Sequence, residues 1–234
     1  MTPSSVRENV LHVQERIAAA ARRAGRLPEE ITLIAVSKTH SADAIREAYE
    51  AGVRHFGENR VQEWEAKHGM VKDLPAIWHL IGHLQSNKAA RAARLFHSVD
   101  SVDDFALARR MDRARGELAG LEKLRVLIEV RVEHEAEKSG VEITQLSELA
   151  EEMIKLPRLE FAGLMCVPPL FDAVENVRPS FRRLRELRAA LQARLGRALP
   201  VLSMGMSHDF EVAIEEGATE IRVGTALFGT RAVK

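Results

Sequence analysis

Little in this sequence calls for an oxidising compartment, a membrane or a polyanionic partner. It holds one cysteine, Cys166, among 234 residues. That excludes an internal disulfide framework and fits a reducing compartment. Lys plus Arg is 34 and Asp plus Glu is 34, so the formal net charge is zero. A general field for nucleic acid or an anionic membrane is absent. The opening Met1-Thr2-Pro3-Ser4-Ser5 lacks the apolar run of a signal peptide. No stretch approaches the ~18 consecutive apolar residues of a membrane span. There is one tyrosine, Tyr49, no low-complexity linker and no charge block. These absences predict a cytoplasmic protein whose residues 1–234 form a single domain.

What the sequence does contain is a rhythm of short apolar run, loop and amphipathic helix. Val6, Val10, Val13, Ile17 and Ala20 fall at helical spacing and predict an opening helix from Ser5 to Ala24, with Gly25 as its stop. Strands are predicted at Ile31–Ser37, Val53–Phe56, Ile77–Ile81, Leu95–Val99, Val126–Val132, Leu159–Val167, Val201–Ser203 and Glu220–Val223. Helices are predicted between them, among them Ser41–Ala51, Val61–His68, Asn87–Ala93, Val102–Ala119, Ile143–Lys155, Arg178–Gly196 and Asp209–Gly217. Strands alternating with helices imply parallel pairing through crossovers. Eight such units in about 200 to 250 residues fit a closed α/β architecture, a (β/α)8 TIM-type barrel with an extra N-terminal helix, better than an open sheet. Closure would set the last strand beside the first, and would bring Gly224 next to Lys38. Ligand sites of this fold lie at the C-terminal ends of the strands, with phosphate held by the last two loops.

Those two loops are the most telling stretches. Ser203-Met204-Gly205-Met206-Ser207-His208-Asp209 and Ile221-Arg222-Val223-Gly224-Thr225-Ala226 each read as a buried strand running into small residues and then a helix. Paired loops of this kind offer N–H groups and hydroxyls to a phosphate monoester. Ser207 also reads as an N-cap, with acids in the following turn. Gly205, Gly224 and Thr225 suit close approach of backbone to an anion. Lys38 ends the apolar run Ile31–Ser37. It reads either as a surface lysine opening a loop or, beside a phosphate cradle, as an amine that forms an imine with a phosphorylated aldehyde. Arg222 lies inside an apolar strand and needs a partner. It reads either as an outward salt bridge or as a group in the barrel mouth that meets a ring nitrogen. Asn59, after the second strand, could hydrogen-bond a ligand oxygen. His79 and His83 are spaced i, i+4 on a strand and loop rather than on one helical face, so no metal site is expected. Cys166, between Met165 and Val167, reads as a buried structural thiol.

Taken together, Ala35-Val36-Ser37-Lys38-Thr39, Gly57-Glu58-Asn59-Arg60-Val61-Gln62-Glu63, Trp78-His79-Leu80-Ile81-Gly82-His83-Leu84-Gln85-Ser86-Asn87-Lys88, Gly163-Leu164-Met165-Cys166-Val167-Pro168-Pro169, Leu202-Ser203-Met204-Gly205-Met206-Ser207 and the last strand resemble the pyridoxal phosphate homeostasis protein family, also called the proline synthetase co-transcribed homolog family. The resemblance runs in order along nearly the whole chain. It implies a barrel like the N-terminal domain of alanine racemase, with pyridoxal 5′-phosphate on Lys38. It further implies that Ser207, Gly224 and Thr225 hold the phosphate, that Arg222 approaches the pyridine nitrogen, and that Asn59 lies near the ring. Members are described as cofactor-binding and regulatory, without an established turnover. Two departures affect the rim of the site. Arg60 stands where the family more often has tyrosine, and Val130-Arg131-Val132-Glu133 stands where an asparagine is frequent.

A two-base racemase needs a second proton-transfer group opposite its lysine, and related racemases take a tyrosine for this from an additional β domain. The sequence ends at Lys234, and Tyr49 falls in the first barrel helix, away from the mouth. An arginine at the ring nitrogen would also leave the cofactor a weak electron sink. The expectation is therefore a monomeric carrier or regulator that binds and releases the cofactor, with apo-enzymes that use it as partners. An amino-acid racemase using Lys38 with a histidine is the alternative. A module that senses the cofactor for a protein partner is a third class. Lys138, in the loop after the fifth strand, reads either as a solvated lysine paired with neighbouring glutamates or as a transient acceptor of the aldehyde.

Overall fold

The computed structural model describes residues 5–118, 120, 122–133 and 139–229. The first helix, α1 (Val6–Arg23), opens on a capping box in which the Ser5 hydroxyl accepts the Glu8 N–H and the Glu8 carboxylate accepts the Ser5 N–H. Its apolar stripe, Val10, Val13, Ile17, Ala20 and Ala21, is buried. Arg16 ties it to the far end of the chain through a two-point bond to Glu211 at 2.8 and 2.9 Å.

Strands and helices then alternate. They run β1 (Thr32–Val36), α2 (Ala42–Glu50), β2 (His55–Glu58), α3 (Val61–His68), β3 (Ile77–Leu80), α4 (Ala89–Leu95), β4 (Ser98–Val102), α5 (Phe105–Gly116) and β5 (Leu124–Arg131). A two-residue strand β6 (Val141–Glu142) and α6 (Ile143–Met153) follow, then β7 (Leu159–Met165), α7 (Arg178–Leu195), β8 (Val201–Met206), α8 (Phe210–Glu215), β9 (Glu220–Val223) and α9 (Thr225–Phe228). Every strand pairing is parallel, in the order β4-β3-β2-β1-β9-β8-β7-β5, and β4 pairs with β5 to close the ring. β6 adds only a short flap on β5. The result is the expected eight-stranded (β/α)8 barrel. β1 lies against β9 with Ala35 opposite Val223, so the Lys38 turn and the Gly224 loop are neighbours.

Several predicted boundaries shift, four of them instructively. β2 begins at His55 rather than Val53, and β8 continues to Met206 rather than stopping at Ser203. The helix predicted from Val102 begins at Phe105, capped by the Asp104 carboxylate on the Leu107 N–H at 2.7 Å. The fourth strand moves most, from the predicted Leu95–Val99 to Ser98–Val102. Leu95 ends α4, and Phe96 packs near Trp64 with ring centroids 6.1 Å apart. The real strand, Ser-Val-Asp-Ser-Val, is completely buried although three of its residues are polar. Its Ser98 and Asp100 face the lumen, where other charged groups satisfy them, so a search for apolar runs passes over it.

Two cores follow from the alternation of side chains. Ala35, Phe56, Trp78, Leu80, Val99, Val126, Ile128, Leu202, Ile221 and Val223 face the helices. Leu127, Ala162, Met165 and Val201 form a small apolar cluster inside the barrel. Below that cluster, toward the N-terminal strand ends, the lumen is polar. Arg125 crosses from β5 to Glu220 on β9 at 2.5 and 3.1 Å and reaches Nδ1 of His79 at 3.2 Å. His79 bonds Asp100 and His55, each at 3.0 Å. His79, Asp100 and Glu220 lie close enough together to suggest a cation site, but the Arg125 guanidinium already sits against both carboxylates. Burial raises the cost of charge on Asp100, yet His79 and Arg125 hold its carboxyl at about 2. Burial, with His79 and Arg125 nearby, pushes His55 down to about 4. This network bolts the base of the barrel at the end opposite Lys38.

Candidate functional site

Lys38 projects from a tight turn at the end of β1. Thr39 has a φ of 66°, the one positive value among the described non-glycine residues. A threonine in that region costs roughly 1–3 kcal/mol, which the surroundings must impose. They do so through Ser37. Its carbonyl accepts the His40 N–H at 3.1 Å and Nζ of Lys67, from α3, at 2.9 Å. Its hydroxyl donates to Oε1 of Glu58 at 2.6 Å, and Lys67 donates to the same oxygen at 2.6 Å. Glu58 is wholly buried and its Oε2 has no partner among the described residues. A buried Glu58–Lys67 pair thus anchors the base of the Lys38 turn. No single stretch of sequence announced it, because Lys67 reaches the strand ends from a helix.

A cavity of about 280 Å³ opens at this turn, lined by Lys38, Thr39, Asn59, Arg60 and Glu63. Lys38 and Asn59, separate motifs in the sequence, therefore share one cavity. Gly82, after β3, lies so close over Asn59 that a Cβ there would overlap the Asn59 carbonyl. Arg60 and Glu63, an ion pair at 3.3 Å, also line a second cavity of about 490 Å³ with Gln62, His83, Gln85 and Lys88.

Across the β1–β9 seam, the two small-residue loops are stitched together by Ser207. Its hydroxyl accepts the N–H groups of Gly224 at 3.1 Å and Ala226 at 3.3 Å. This corrects the reading of Ser207 as an N-cap. α8 starts at Phe210 with Asp209 in the capping position, and the Asp209 carboxylate turns back to the Met206 N–H at 2.6 Å. The turn closed by Asp209 leaves the Ser207 hydroxyl free to span to the neighbouring loop. Gly205 is also differently employed than expected. Its φ is +94°, and a Cβ there would sit 2.5 Å from that of Ala213, so the glycine lets β8 pack against α8. Gly224, by contrast, lies at the mouth, where a Cβ would meet Val36 at an ordinary 3.4 Å. Thr225 is exposed at the start of α9. Among the described residues, the Ser207 and Thr225 N–H groups have no backbone acceptor. Uncommitted N–H donors and a hydroxyl at adjoining loops fit the phosphate of the expected cofactor.

Arg222 resolves to the inward alternative. It is 4 % exposed, donates to the Ser203 hydroxyl and the Cys166 carbonyl at 2.7 Å each, and forms no salt bridge among the described residues. Its charge is thus fixed in the lumen by two neutral acceptors. Cys166 is buried as expected, and burial pushes its thiol up to about 12.

Glu129 was not singled out by motif. On β5, Val126, Ile128 and Val130 pack toward the helices while Leu127 and Glu129 face the lumen. Glu129 is 7 % exposed and accepts no hydrogen bond among the described residues. Burial, and then nearby Asp103, push its carboxyl up to about 7 against the pull of Arg222 and Arg131. The signal was in the sequence: Leu124–Arg131 alternates apolar and charged or lumen-facing residues with period two. Lys138 lies outside the described residues.

The fold and site define a class first. Residues 9–232 match the sequence family described as "Alanine racemase, N-terminal domain". Alanine racemase of Clostridium difficile superposes with a TM-score of 0.71 at 15% identity, over 97% of this chain and 58% of that one, a likeness of fold. Within that class the relatives are narrower. A "Pyridoxal phosphate homeostasis protein" of Aquifex aeolicus is 47% identical over 96% of this chain and 97% of its own length. The Escherichia coli protein of the same description is 42% identical over 97% of each. PipY of Synechococcus elongatus, solved with pyridoxal phosphate bound, has a TM-score of 0.82 at 43% identity, over 93% of this chain and all of that one. The chain belongs to the pyridoxal phosphate homeostasis protein family.

Proposed function

We propose that this protein binds pyridoxal 5′-phosphate covalently on Lys38 and serves cofactor homeostasis as a monomeric carrier or regulator, without robust catalysis. The observation that carries the binding half is PipY, which holds the cofactor within the same fold at 43% identity. The chain's own geometry agrees with the chemistry. When bound, the cofactor supplies an aldehyde. The Lys38 amine would be the nucleophile that condenses with it, one water leaving for the bond made. Ser207, Gly224 and Thr225 would hold the phosphate, and Asn59 would bond an oxygen near the ring. Arg222 would lie toward the pyridine nitrogen. A guanidinium already fixed as a cation gives no proton to that nitrogen, which keeps the cofactor a weak electron sink.

The carrier half rests on what racemisation would further require. A second proton-transfer group must face Lys38. Tyr49 lies on α2 beneath the Arg54 guanidinium, 4.1 Å from its ring centroid, toward the start of β2 and away from the mouth. His40, the histidine nearest Lys38 in sequence, is stacked on Phe228 at 4.6 Å. Apo-enzymes that use the cofactor are the partners this reading requires.

The test combines absorbance, reduction and transfer. Purified protein given the cofactor should show an imine band near ~420 nm, and borohydride should fix the adduct on Lys38 by mass mapping. Lys38→Ala should lose the adduct and keep the fold, since Lys38 stands at the mouth. Cofactor should pass from the parent protein to an apo-enzyme. An adduct on another lysine, with Lys38 unmodified, overturns the site. Sustained interconversion of D- and L-amino acids overturns the carrier reading in favour of a racemase.

A further inference from the structure

We propose that the groove between α4 and α5 is a second binding site, for a small molecule that carries two or more adjacent phosphoryl groups. None of its residues lines the Lys38 cavity, so the proposal stands apart from the pyridoxal phosphate reading.

The groove holds about 560 Å³, against about 280 Å³ at the Lys38 turn. That volume suits a small ligand. Arg109, Arg110 and Arg113 of α5 line it. Arg113 is four residues from Arg109 and three from Arg110, spacings that gather all three on one side of the helix. Ser86 and Asn87, from the short 3-10 turn ahead of α4, add a hydroxyl and an amide to the lining. Ala90, Ala106 and Ala114 complete it with short side chains that leave the space open.

The three guanidinium groups have no hydrogen bond or ion pair among the described residues. Arg109 alone touches a ring, with Phe105 5.8 Å away. The arginines of α7 behave differently: Arg178, Arg182 and Arg185 all pair with Glu216. Glu117 is the one carboxylate that lines the groove, and it is bonded to Arg94 at 3.2 Å. Asp112, next to Arg113 in sequence, instead accepts the Arg158 N–H at 2.8 Å. Three positive charges therefore stand uncompensated together in a chain whose formal net charge is zero. Like charges at this spacing destabilise a helix, so the cluster works against the fold and makes no contact that would offset it. A bound anion would.

The arrangement also selects the anion. A guanidinium takes phosphate oxygens two at a time through its planar fork. Three forks rooted about 5–6 Å apart call for negative groups packed equally closely. Adjacent phosphoryl groups supply them, whereas the carboxylates of an extended acidic peptide are spread along its backbone. Single-stranded nucleic acid is held on aromatic stacking platforms, and no aromatic residue lines this groove.

The probe is sodium pyrophosphate, titrated by calorimetry into the parent and into Arg109→Gln/Arg110→Gln/Arg113→Gln at ionic strengths of about 0.02 and 0.15 M. All three arginines are exposed, so the triple variant should match or exceed the parent's urea midpoint once its like charges are gone. Pyrophosphate should bind the parent at both ionic strengths, and the triple substitution should weaken it about tenfold or more. Glu117→Gln removes the groove's carboxylate and should tighten binding. Arg22→Gln/Arg183→Gln/Arg197→Gln removes the same charge from three exposed arginines elsewhere and should leave the Kd unchanged. Equal Kd values for the parent and the groove variant overturn the proposal, because any binding then belongs to the loops after β8 and β9. Equal weakening by the control, or heat that vanishes at the higher ionic strength, overturns it too, as an adventitious ion only. A single-stranded RNA oligomer that displaces pyrophosphate at lower concentration would assign the groove to nucleic acid and overturn the small-ligand reading. None of these outcomes bears on the borohydride adduct at Lys38, which tests the pyridoxal phosphate reading separately.

Discussion

The buried pair beneath the Lys38 turn invites a direct perturbation, Lys67→Met, which keeps the length of the side chain and removes its charge. Oε1 of Glu58 accepts from Lys67 and from the Ser37 hydroxyl, both at 2.6 Å, and Oε2 accepts from nothing described. Without Lys67, a wholly buried carboxylate keeps one hydroxyl donor and no opposite charge. Breaking a buried pair from one side costs about 3–5 kcal/mol, because the survivor is stranded. The Ser37 carbonyl also loses one of its two donors, worth about 1 kcal/mol, while the His40 N–H remains. Against a total stability of roughly 5–15 kcal/mol, that is a large fraction. The assay is urea unfolding without ligand, with midpoint and slope recorded for the parent, Lys67→Met, Glu58→Gln and the double variant. The double variant leaves no stranded charge and should recover most of the loss. Adduct formation on Lys38 should slow in Lys67→Met as the strained Thr39 turn relaxes. A loss under about 1 kcal/mol, or strictly additive single effects, would refute the view that this pair acts as a unit under the turn.

Two other perturbations follow from the same geometry. Arg222→Glu removes the donors to Ser203 and Cys166 and adds a carboxylate near Glu129 and Asp209; it should cost roughly 3 kcal/mol or more in urea unfolding, beyond any change in ligand spectrum, and an unchanged midpoint would mean the side chain points outward. Gly205→Ala forces an alanine into φ +94° with its Cβ 2.5 Å from that of Ala213, and should lose about 1–3 kcal/mol, read as a lower melting temperature; a neutral result would show that β8 and α8 can part without cost.

Much of the fold was legible in the sequence, and the reason is periodicity. Most barrel strands read as apolar runs, and the helices carry matching stripes, so order, parallel pairing and closure follow from short-range pattern. β4 broke the rule because its lumen-facing residues, Ser98 and Asp100, are buried polar groups satisfied by His79 and Arg125 from other strands. Nothing within five residues of Asp100 reveals those partners. Lys38, Asn59 and the two small-residue loops were visible as motifs, since they terminate strands at the end where this fold builds its sites.

By itself, the sequence determined the alternation of strands and helices, the absence of any long apolar span, and which strand ends carry an amine, an amide and small-residue loops. These are local properties, set by side-chain period, chain flexibility and residue chemistry. Only the tertiary structure decided the use of each group. Ser207 looked like a cap for its own helix, but closure of β9 on β1 and the Asp209 turn direct its hydroxyl to Gly224 and Ala226. Arg222 could have faced solvent, but inclusion in a closed ring points it at Ser203 and the Cys166 carbonyl. Glu58 finds Lys67 from another element. Burial and charge act through space, and a barrel places neighbours by its register rather than by their order along the chain.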